Sequence, residues 1–368
     1  MYVEQVSLTN FRNYLSAQLF PAPDGVTLLQ GDNGSGKTNL LEAIAYLSTV
    51  RSFRGAPKSA LVRNGADQAV LRANAHRAGR SILVEAELNL DGKDRFRLNR
   101  QPLRRHEDLL GAVLVTIFSP QDIEVVKGSP QSRRDYLDDL LIALQPKHAA
   151  ACSELERVLK QRNALLRSAN GSLRGSMAST LDIWDIKLAT AGEAVAEARQ
   201  SLVPALEEET DRAYRQLSAA SGDAGTGVVG LRYERSWEGP LLSALAAARA
   251  EDARRGATTV GPQRDDLYMS VQGLAARTQA SQGEQRSLAL SLRLGGHALV
   301  AARQGTSPVL LLDDVFSELD PGRSAALAEC LPVGQALVTA AGPVPSALPV
   351  AQCGRVSAGV ICAGAALT

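Results

Sequence analysis

Residues Gly31 to Thr38 read GDNGSGKT, which fits the phosphate-cradling pattern G-x-x-x-x-G-K-[ST]. Such a loop needs a strand before it and a helix after it. The run GVTLLQ (Gly25–Gln30) reads as a short buried strand, and TNLLEAIAYLSTV (38–50) has helical periodicity. In that setting the backbone N–H groups of Gly31, Asp32, Asn33, Gly34, Ser35 and Gly36 close around phosphates. Lys37 pairs with the β and γ phosphates, and the Thr38 hydroxyl ligates Mg²⁺. The expected ligands are therefore ATP and Mg²⁺, against the competing reading of a chance glycine turn.

Two carboxylates follow far downstream in LLLDDVFSELD (310–320). Asp313 ends an apolar strand, where it can hold Mg²⁺ directly or through water. Asp314 points another way and can polarise an attacking water. An ordinary strand ending in an acidic turn is the plainer alternative. Gln121, in FSPQDIEVV, is placed to sense Mg²⁺ or that water.

A third stretch, ASQGEQRSLALSLRL (280–294), opens with Ser281 and Glu284 at capping-box spacing, and Leu288 and Leu292 then share a helical face. A helix N-terminus is an anion site, yet no lysine stands beside Gly283 to neutralise a phosphate. Phosphate loop, serine–glycine helix start and carboxylate strand occur in the order seen in ABC-type ATPases. There the serine faces a γ-phosphate held by a different subunit, so Ser281 and Gly283 are assigned to a signature motif. In isolation the stretch is an ordinary capping box.

The rest of the sequence must position these groups. The chain has 368 residues, 45% hydrophobic and 21% charged, enough for one large or two ordinary domains. Its 40 Lys and Arg against 39 Asp and Glu give a net charge of +1, which by itself points to no nucleic-acid partner, although basic residues can cluster on one face. The four cysteines, Cys152, Cys330, Cys353 and Cys362, form no CxxC pair, and no histidine is expected at metal-ligand spacing from them. A disulfide framework or a zinc site is not expected. There is no secretory leader pattern and no apolar run of about 18 residues, so a cytoplasmic location and no membrane partner are expected.

Short strands are expected over residues 1–30, and strand alternation recurs from 68 to 100 with a hairpin turn at Asp91–Asp94. A continuous apolar strand is expected from Ala112 to Pro120. From about Ser132 to Ala220 nearly everything reads as helix. Leu155, Val158, Leu159 and Leu165 or Leu166 form one stripe, and a second long helical stretch is bent or broken at Pro204. Residues 168–179 read as the turn between them, Ser221–Gly227 as a flexible joint, and the tail ICAGAALT as disordered. Val309–Leu312 and the run 334–342 read as further strands. The fold class is α/β: a P-loop NTPase head of ABC type with an inserted helical second lobe containing a short helical hairpin. The expected division is 1–128 for the first part of the head, 129–256 for the helical lobe and 257–368 for the rest of the head.

A closer resemblance spans nearly the whole chain. LTNFRNYLSAQL, GDNGSGKTNLLEAIAYLSTVRSFRG, FSPQDIEVVKGSPQSRRDYLD, LERVLKQRNALLR, GPQRDDL and LLLDDVFSELD together resemble the RecF family of bacterial recombination mediators. The resemblance implies a head related to those of SMC proteins and a homodimer that forms on ATP, with nucleotides between the P-loop and the signature motif. It implies ATP-dependent binding of double-stranded DNA at gaps or single-strand/double-strand junctions, slow hydrolysis that opens the dimer, and action with RecR and RecO to place RecA. It places Glu318, Leu319 and Asp320 in the loop that crosses the dimer seam, and it gives Asp314 where most ABC ATPases carry Glu. Where many of those enzymes have a switch histidine, this chain offers Thr339.

DNA-facing candidates are Arg51, Arg54, Lys58, Arg63, Arg104, Arg105, Arg133 and Arg134. Phosphate contacts need charge rather than a motif, and each of these residues can equally be a solvated charge or a structural one. A transporter motor would place signature and P-loop much closer together. A lone P-loop kinase would have no use for SQGEQ. A full SMC protein would need a coiled coil far longer than a helix of about 25 residues, which spans only about 40 Å.

Overall fold

In a computed structural model, residues 1–169, 175–220 and 227–363 are described. The elements in chain order are β1 (Tyr2–Phe11), β2 (Tyr14–Leu19), β3 (Gly25–Gln30), α1 (Lys37–Thr49), α2 (Lys58–Leu61), β4 (Gln68–Arg77), β5 (Arg80–Asn89), β6 (Arg95–Leu98), β7 (Gln101–Pro102) and β8 (Val115–Phe118). Then come α3 (Ile123–Lys127), α4 (Pro130–Leu144), α5 (His148–Ser168), α6 (Ser176–Ala220), β9 (Val229–Glu234), α7 (Leu241–Arg255), β10 (Asp266–Val271) and β11 (Leu274–Ala275). Last are α8 (Gln282–Gln304), β12 (Val309–Asp313), α9 (Pro321–Glu329), β13 (Gln335–Ala340), β14 (Val350–Ser357) and β15 (Val360–Ala363).

The chain forms two compact units, one of Met1–Asp122, Glu209–Gly227 and Arg286–Thr368, the other of Ile123–Glu208 and Val228–Gln285. The first unit holds an antiparallel sheet in the order β2-β1-β4-β5-β6-β7 and a largely parallel sheet in the order β15-β14-β3-β13-β12-β8. Strand alternation sorts the parallel sheet's side chains into two cores. Leu29, Val309, Leu311 and Leu337 join α1 and the antiparallel sheet, while Val26, Leu28, Leu310, Leu312 and Val338 join residues of α8 and α9. The helix α1 is apolar nearly all round, with Leu40, Leu41, Ile44 and Leu47 buried, which suits a helix enclosed by the core.

The second unit holds the helices α3, α4, α5 and α7, most of α6, and a three-stranded sheet in the order β11-β10-β9. Its core gathers Leu155 and Val158 of the expected stripe with Leu188, Val195, Trp237, Leu241 and Leu245. Leu166 is buried in a satellite cluster against which Leu165 packs.

Several expectations change. Residues 257–285 belong with the second unit because β10 pairs with β9 along Asp266–Val271, whereas Glu209–Gly227 returns to the first. Ser281 and Gly283 therefore fall in the second unit, outside the head segment first drawn. Within the span 129–256 drawn as the helical lobe, the stretch after Gly227 forms the strand β9. The helix α6 runs without a break through Pro204, held by buried neighbours Val203 and Leu206 that offset the lost backbone bond. Only Val115–Phe118 of the Ala112–Pro120 run is strand. The tail contributes β15 up to Ala363; the rest of the tail, most of the 168–179 turn's centre and the joint Ser221–Thr226 lie outside the described residues.

Buried ion pairs explain motifs with no part in nucleotide binding. Arg162 is fully buried; Nε donates to Asp185 and Nη1 to Asp252, both at 2.7 Å, and Nη1 also reaches Thr258. Its neighbour Asn163 accepts from the Thr258 backbone and hydroxyl. Arg133 forms a two-pronged pair with Asp266, and Arg134 donates to the Asp265 carbonyl at 2.6 Å. Thus QSRRDYLD and GPQRDDL are two halves of one contact. Removing one partner of a buried pair leaves an uncompensated charge, so Arg162→Met is expected to destabilise the second unit by about 3–5 kcal/mol. Both tryptophans lie in that unit. Denaturant unfolding followed by tryptophan fluorescence is the check, and a midpoint like the parent's would exclude this role.

Candidate nucleotide site

The strand β3 ends at Gln30, and the loop then folds back to start α1 at Lys37. Gly36 is in the left-handed region with φ 115°, and no side chain caps the helix. The first N–H groups of α1 are thus open to an anion. Lys37 is buried, its ammonium donating to the Gly31 carbonyl at 2.7 Å and the Asp32 carbonyl at 3.0 Å. Asp32, Asn33 and Gly34 form an exposed lip over the buried Ser35 and Gly36. The Ser35 hydroxyl is buried with no hydrogen-bond partner among the described residues.

The loop is clamped from outside by residues that the sequence reading passed over. Tyr14 Oη donates to the Gly36 carbonyl at 3.0 Å, and burial pushes its phenol pKa up, so it stays a donor. Asn13 Nδ2 and the Gly359 N–H both donate to the Ser35 carbonyl, at 3.1 and 3.0 Å. A Cβ on Gly31 would stand 2.1 Å from the Val356 carbonyl oxygen, and one on Gly36 would meet Asn13 and Tyr14 within 2.9 Å. The β14–β15 hairpin therefore supports the loop through Val356 and Gly359. Arg12 fixes the β1–β2 turn to α1 by a two-pronged pair with the fully buried Glu42, both bonds at 2.7 Å. The clues were FRNY between two strands and a lone glutamate inside an apolar helix.

The carboxylates arrive from β12. Asp313 Oδ1 accepts from the Thr38 hydroxyl at 2.7 Å and from the Thr339 hydroxyl at 2.8 Å. Register explains this: β13 lies between β3 and β12, and Thr339 pairs with Asp313. Burial pushes the Asp313 carboxyl pKa up and outweighs the two hydroxyl donors, which oppose it. The Thr339 oxygen also accepts from the Asp314 N–H at 3.0 Å, so this hydroxyl links the two carboxylate residues. Asp314 takes a left-handed φ of 50° and is half-buried, and its charge stands close enough to Asp313 to add to the upward push on that carboxyl.

Gln121 is exposed on the 3-10 turn after β8. The buried Asp122 sets that turn, accepting from the Ser119 N–H and from Arg293, both at 2.8 Å. In the second unit, Ser281 and Glu284 form the expected capping box: Glu284 accepts from the Ser281 N–H at 2.7 Å and the Ser281 hydroxyl accepts from the Glu284 N–H at 3.3 Å. Ser281 is exposed and Gly283 half-buried. Glu318 accepts from Arg286, Leu319 is half-buried, and Asp320 caps α9 through the Arg323 N–H at 2.9 Å.

The basic candidates divide. Arg133 and Arg134 are buried and committed, so they are not a DNA-facing pair. Arg51, Arg54, Arg104 and Arg105 are exposed, Arg63 half-buried, and Lys58 pairs with Asp94 at 3.1 Å. One assumption about metals also fails: His148 and Cys152 do share a helical face, and their ligand atoms lie with one of Asp138 within 4.8 Å. Both Asp138 oxygens, however, take Arg199 at 2.7 and 2.8 Å, holding that carboxyl at about 2 and setting a positive charge where a cation would bind. The oxygen set of Thr38 and Asp313 suits a hard divalent ion, and the uncapped α1 with its left-handed glycine suits phosphate.

The family model described as RecF/RecN/SMC N terminal domain matches residues 2–340. Proteins named DNA replication and repair protein RecF are similar along most of their length. The one from Streptomyces avermitilis is 44% identical over 357 residues (93% of this chain, 94% of that one), and the one from Frankia alni is 44% identical over 360 (93% of each). A solved structure described as the recombination mediator RecF with ATP in the RecFOR pathway superposes with a TM-score of 0.90 at 29% identity, covering 99% of this chain and 98% of that one. The Smc head domain of Pyrococcus furiosus, at 16% identity and a TM-score of 0.56, shares the fold. An SMC-type P-loop head, a Thr38–Asp313 junction and full-length likeness converge: the chain belongs to the RecF family of DNA replication and repair proteins.

Proposed function

We propose that this chain is a cytoplasmic, ATP-gated recombination mediator. It binds ATP with Mg²⁺, dimerises around two nucleotides, holds double-stranded DNA at gaps or single-strand/double-strand junctions, and opens again on slow hydrolysis. In the pathway it works with RecR and RecO to place RecA. The observation that carries the reading is the Thr38 hydroxyl meeting the Asp313 carboxylate at 2.7 Å beside the uncapped start of α1.

In this mechanism Lys37 exchanges its two loop carbonyls for phosphate oxygens, and the loop N–H groups take the remaining charge. Thr38 and Asp313, with Gln121, would hold Mg²⁺, whose charge would offset that of the phosphates. Asp314 accepts the proton of the water that attacks the γ-phosphorus, and ADP leaves in line. Its one-carbon-shorter side chain reaches water less well than glutamate, which supports slow turnover. Across the dimer, Ser281 gives up its cap on Glu284 and turns its hydroxyl, with the α8 N-terminus and Gly283, to the partner's γ-phosphate. The long 3.3 Å cap and the exposure of Ser281 support that exchange.

Three variants test the steps separately. Lys37→Met is expected to lose ATP-dependent duplex binding in a titration; undiminished binding would sink the gating. Ser281→Arg, on an exposed residue, costs about 1 kcal/mol of capping yet leaves ATP affinity intact. It is expected to abolish the ATP-driven monomer-to-dimer shift in sedimentation, and normal dimerisation would remove the cross-subunit role. Asp314→Asn keeps a residue tolerant of left-handed backbone, so it is expected to fold and bind ATP while single-turnover hydrolysis slows about 100-fold or more. An unchanged rate would exclude Asp314 as the base.

A further inference from the structure

Basic charge is unevenly spread in this chain of net charge +1. Residues 51–63 contain four arginines or lysines and no acidic residue, and residues 93–105 contain six against Asp94 alone. Within the first unit these two runs meet: Lys58 Nζ is 3.1 Å from Asp94 Oδ1. That contact spends the only acidic side chain of either run on a single lysine.

The second run comprises β6, a tight turn with left-handed Asn99 and Arg100 (φ 50° and 68°), β7 and the segment leading to the 3-10 turn at His106. Arg95 and Arg97 flank the buried Phe96, so both stand on the outer face of β6. Their cross-strand partners are Glu87 and Glu85. Arg95 is 3.2 Å from Glu87, but Glu85 is taken by Arg72 at 2.8 Å. Among the described residues, Arg97, Arg100 and Arg104 have no ion-pair partner. Arg105 reaches Asp108 only at 3.5 Å. Charge on an outermost strand guards it against pairing with another chain, a need met by one or two charges on so short a strand as β7, which also carries Pro102. Six basic residues exceed that need.

We infer that the β6–β7 hairpin, together with the 51–63 segment, forms the surface that takes the phosphate backbone of duplex DNA. The inference rests on the duplex-binding part of the proposed function. Unpaired guanidiniums along a sheet edge suit phosphates read by charge, and the described residues of this surface form no base-reading element.

The test measures duplex affinity of the full chain with ATP across a salt series, beside the triple variant Arg97→Ala, Arg100→Ala, Arg104→Ala. The expected result is an affinity loss of about 10- to 100-fold near 100 mM salt, with the log–log salt slope shallower by about two to three. Binding of a fluorescent ATP analogue should not change, and the matching triple Arg→Lys variant should keep the parental slope. Equal affinity and slope in parent and alanine triple would overturn the surface while leaving duplex binding standing. No duplex binding by the parent at any salt would overturn both. Loss of polyglutamate binding with duplex binding intact would assign the hairpin to an acidic polypeptide instead.

Discussion

The hydrogen bond from the Thr38 hydroxyl to the Asp313 carboxylate spans 275 residues of chain, and much of the first unit exists to make it possible. It needs β3 and β12 on either side of β13 in parallel register, so that the loop after one strand and the carboxylate ending the other emerge at the same edge. It needs α1 enclosed on all sides, since a helix free to shift would carry Thr38 away. It also needs the Asp313 carboxyl held without a paired cation. Thr339 and Thr38 do that with neutral hydroxyls, leaving a desolvated oxygen set that a divalent ion would relieve.

Around that junction the polar interior is organised by arginine–carboxylate forks. Arg12–Glu42 ties the β1–β2 turn to α1 and so sets Asn13 and Tyr14 against the phosphate loop. In the second unit Arg133–Asp266, Arg162 with Asp185 and Asp252, and Arg199–Asp138 do the comparable job of joining helices to the small sheet and to one another. Such pairs add little net stability over well-packed apolar groups, but each tolerates few alternative packings. Motifs that carry no nucleotide chemistry become intelligible as halves of these contacts.

Legibility followed sequence distance. The loop GDNGSGKT, its flanking strand and helix, and the Ser281–Glu284 capping box were readable because each is completed within a few residues. The β14–β15 hairpin was not: its apolar alternation is weak, and its role comes from a Gly359 N–H that reaches Ser35 only after β14 pairs with β3. Asp122 and Glu42 were passed over because a carboxylate's purpose depends on an arginine far along the chain. Arg133 and Arg134 were offered to DNA for the same reason, their partners standing 133 and 131 residues away. Of the bend or break expected at Pro204, the break is absent: α6 is continuous there, with buried side chains on both flanks.

Taken alone, the sequence determined the chemistry on offer: phosphate-cradling glycines, a lysine, hydroxyl and carboxylate oxygens for a hard metal, and a capped helix start. Local spacing suffices for these because phosphate loops and helix caps use backbone groups of adjacent residues. Only the tertiary structure decided which charges are free. It buried Arg133 in an ion pair and Arg134 against a backbone carbonyl, hydrogen-bonded Thr339 to the carboxylate pair, and left Arg97, Arg100 and Arg104 on a sheet edge with no ion-pair partner among the described residues. A charge's availability depends on what lies within a few ångströms, and for these residues that neighbour comes from a distant strand or helix.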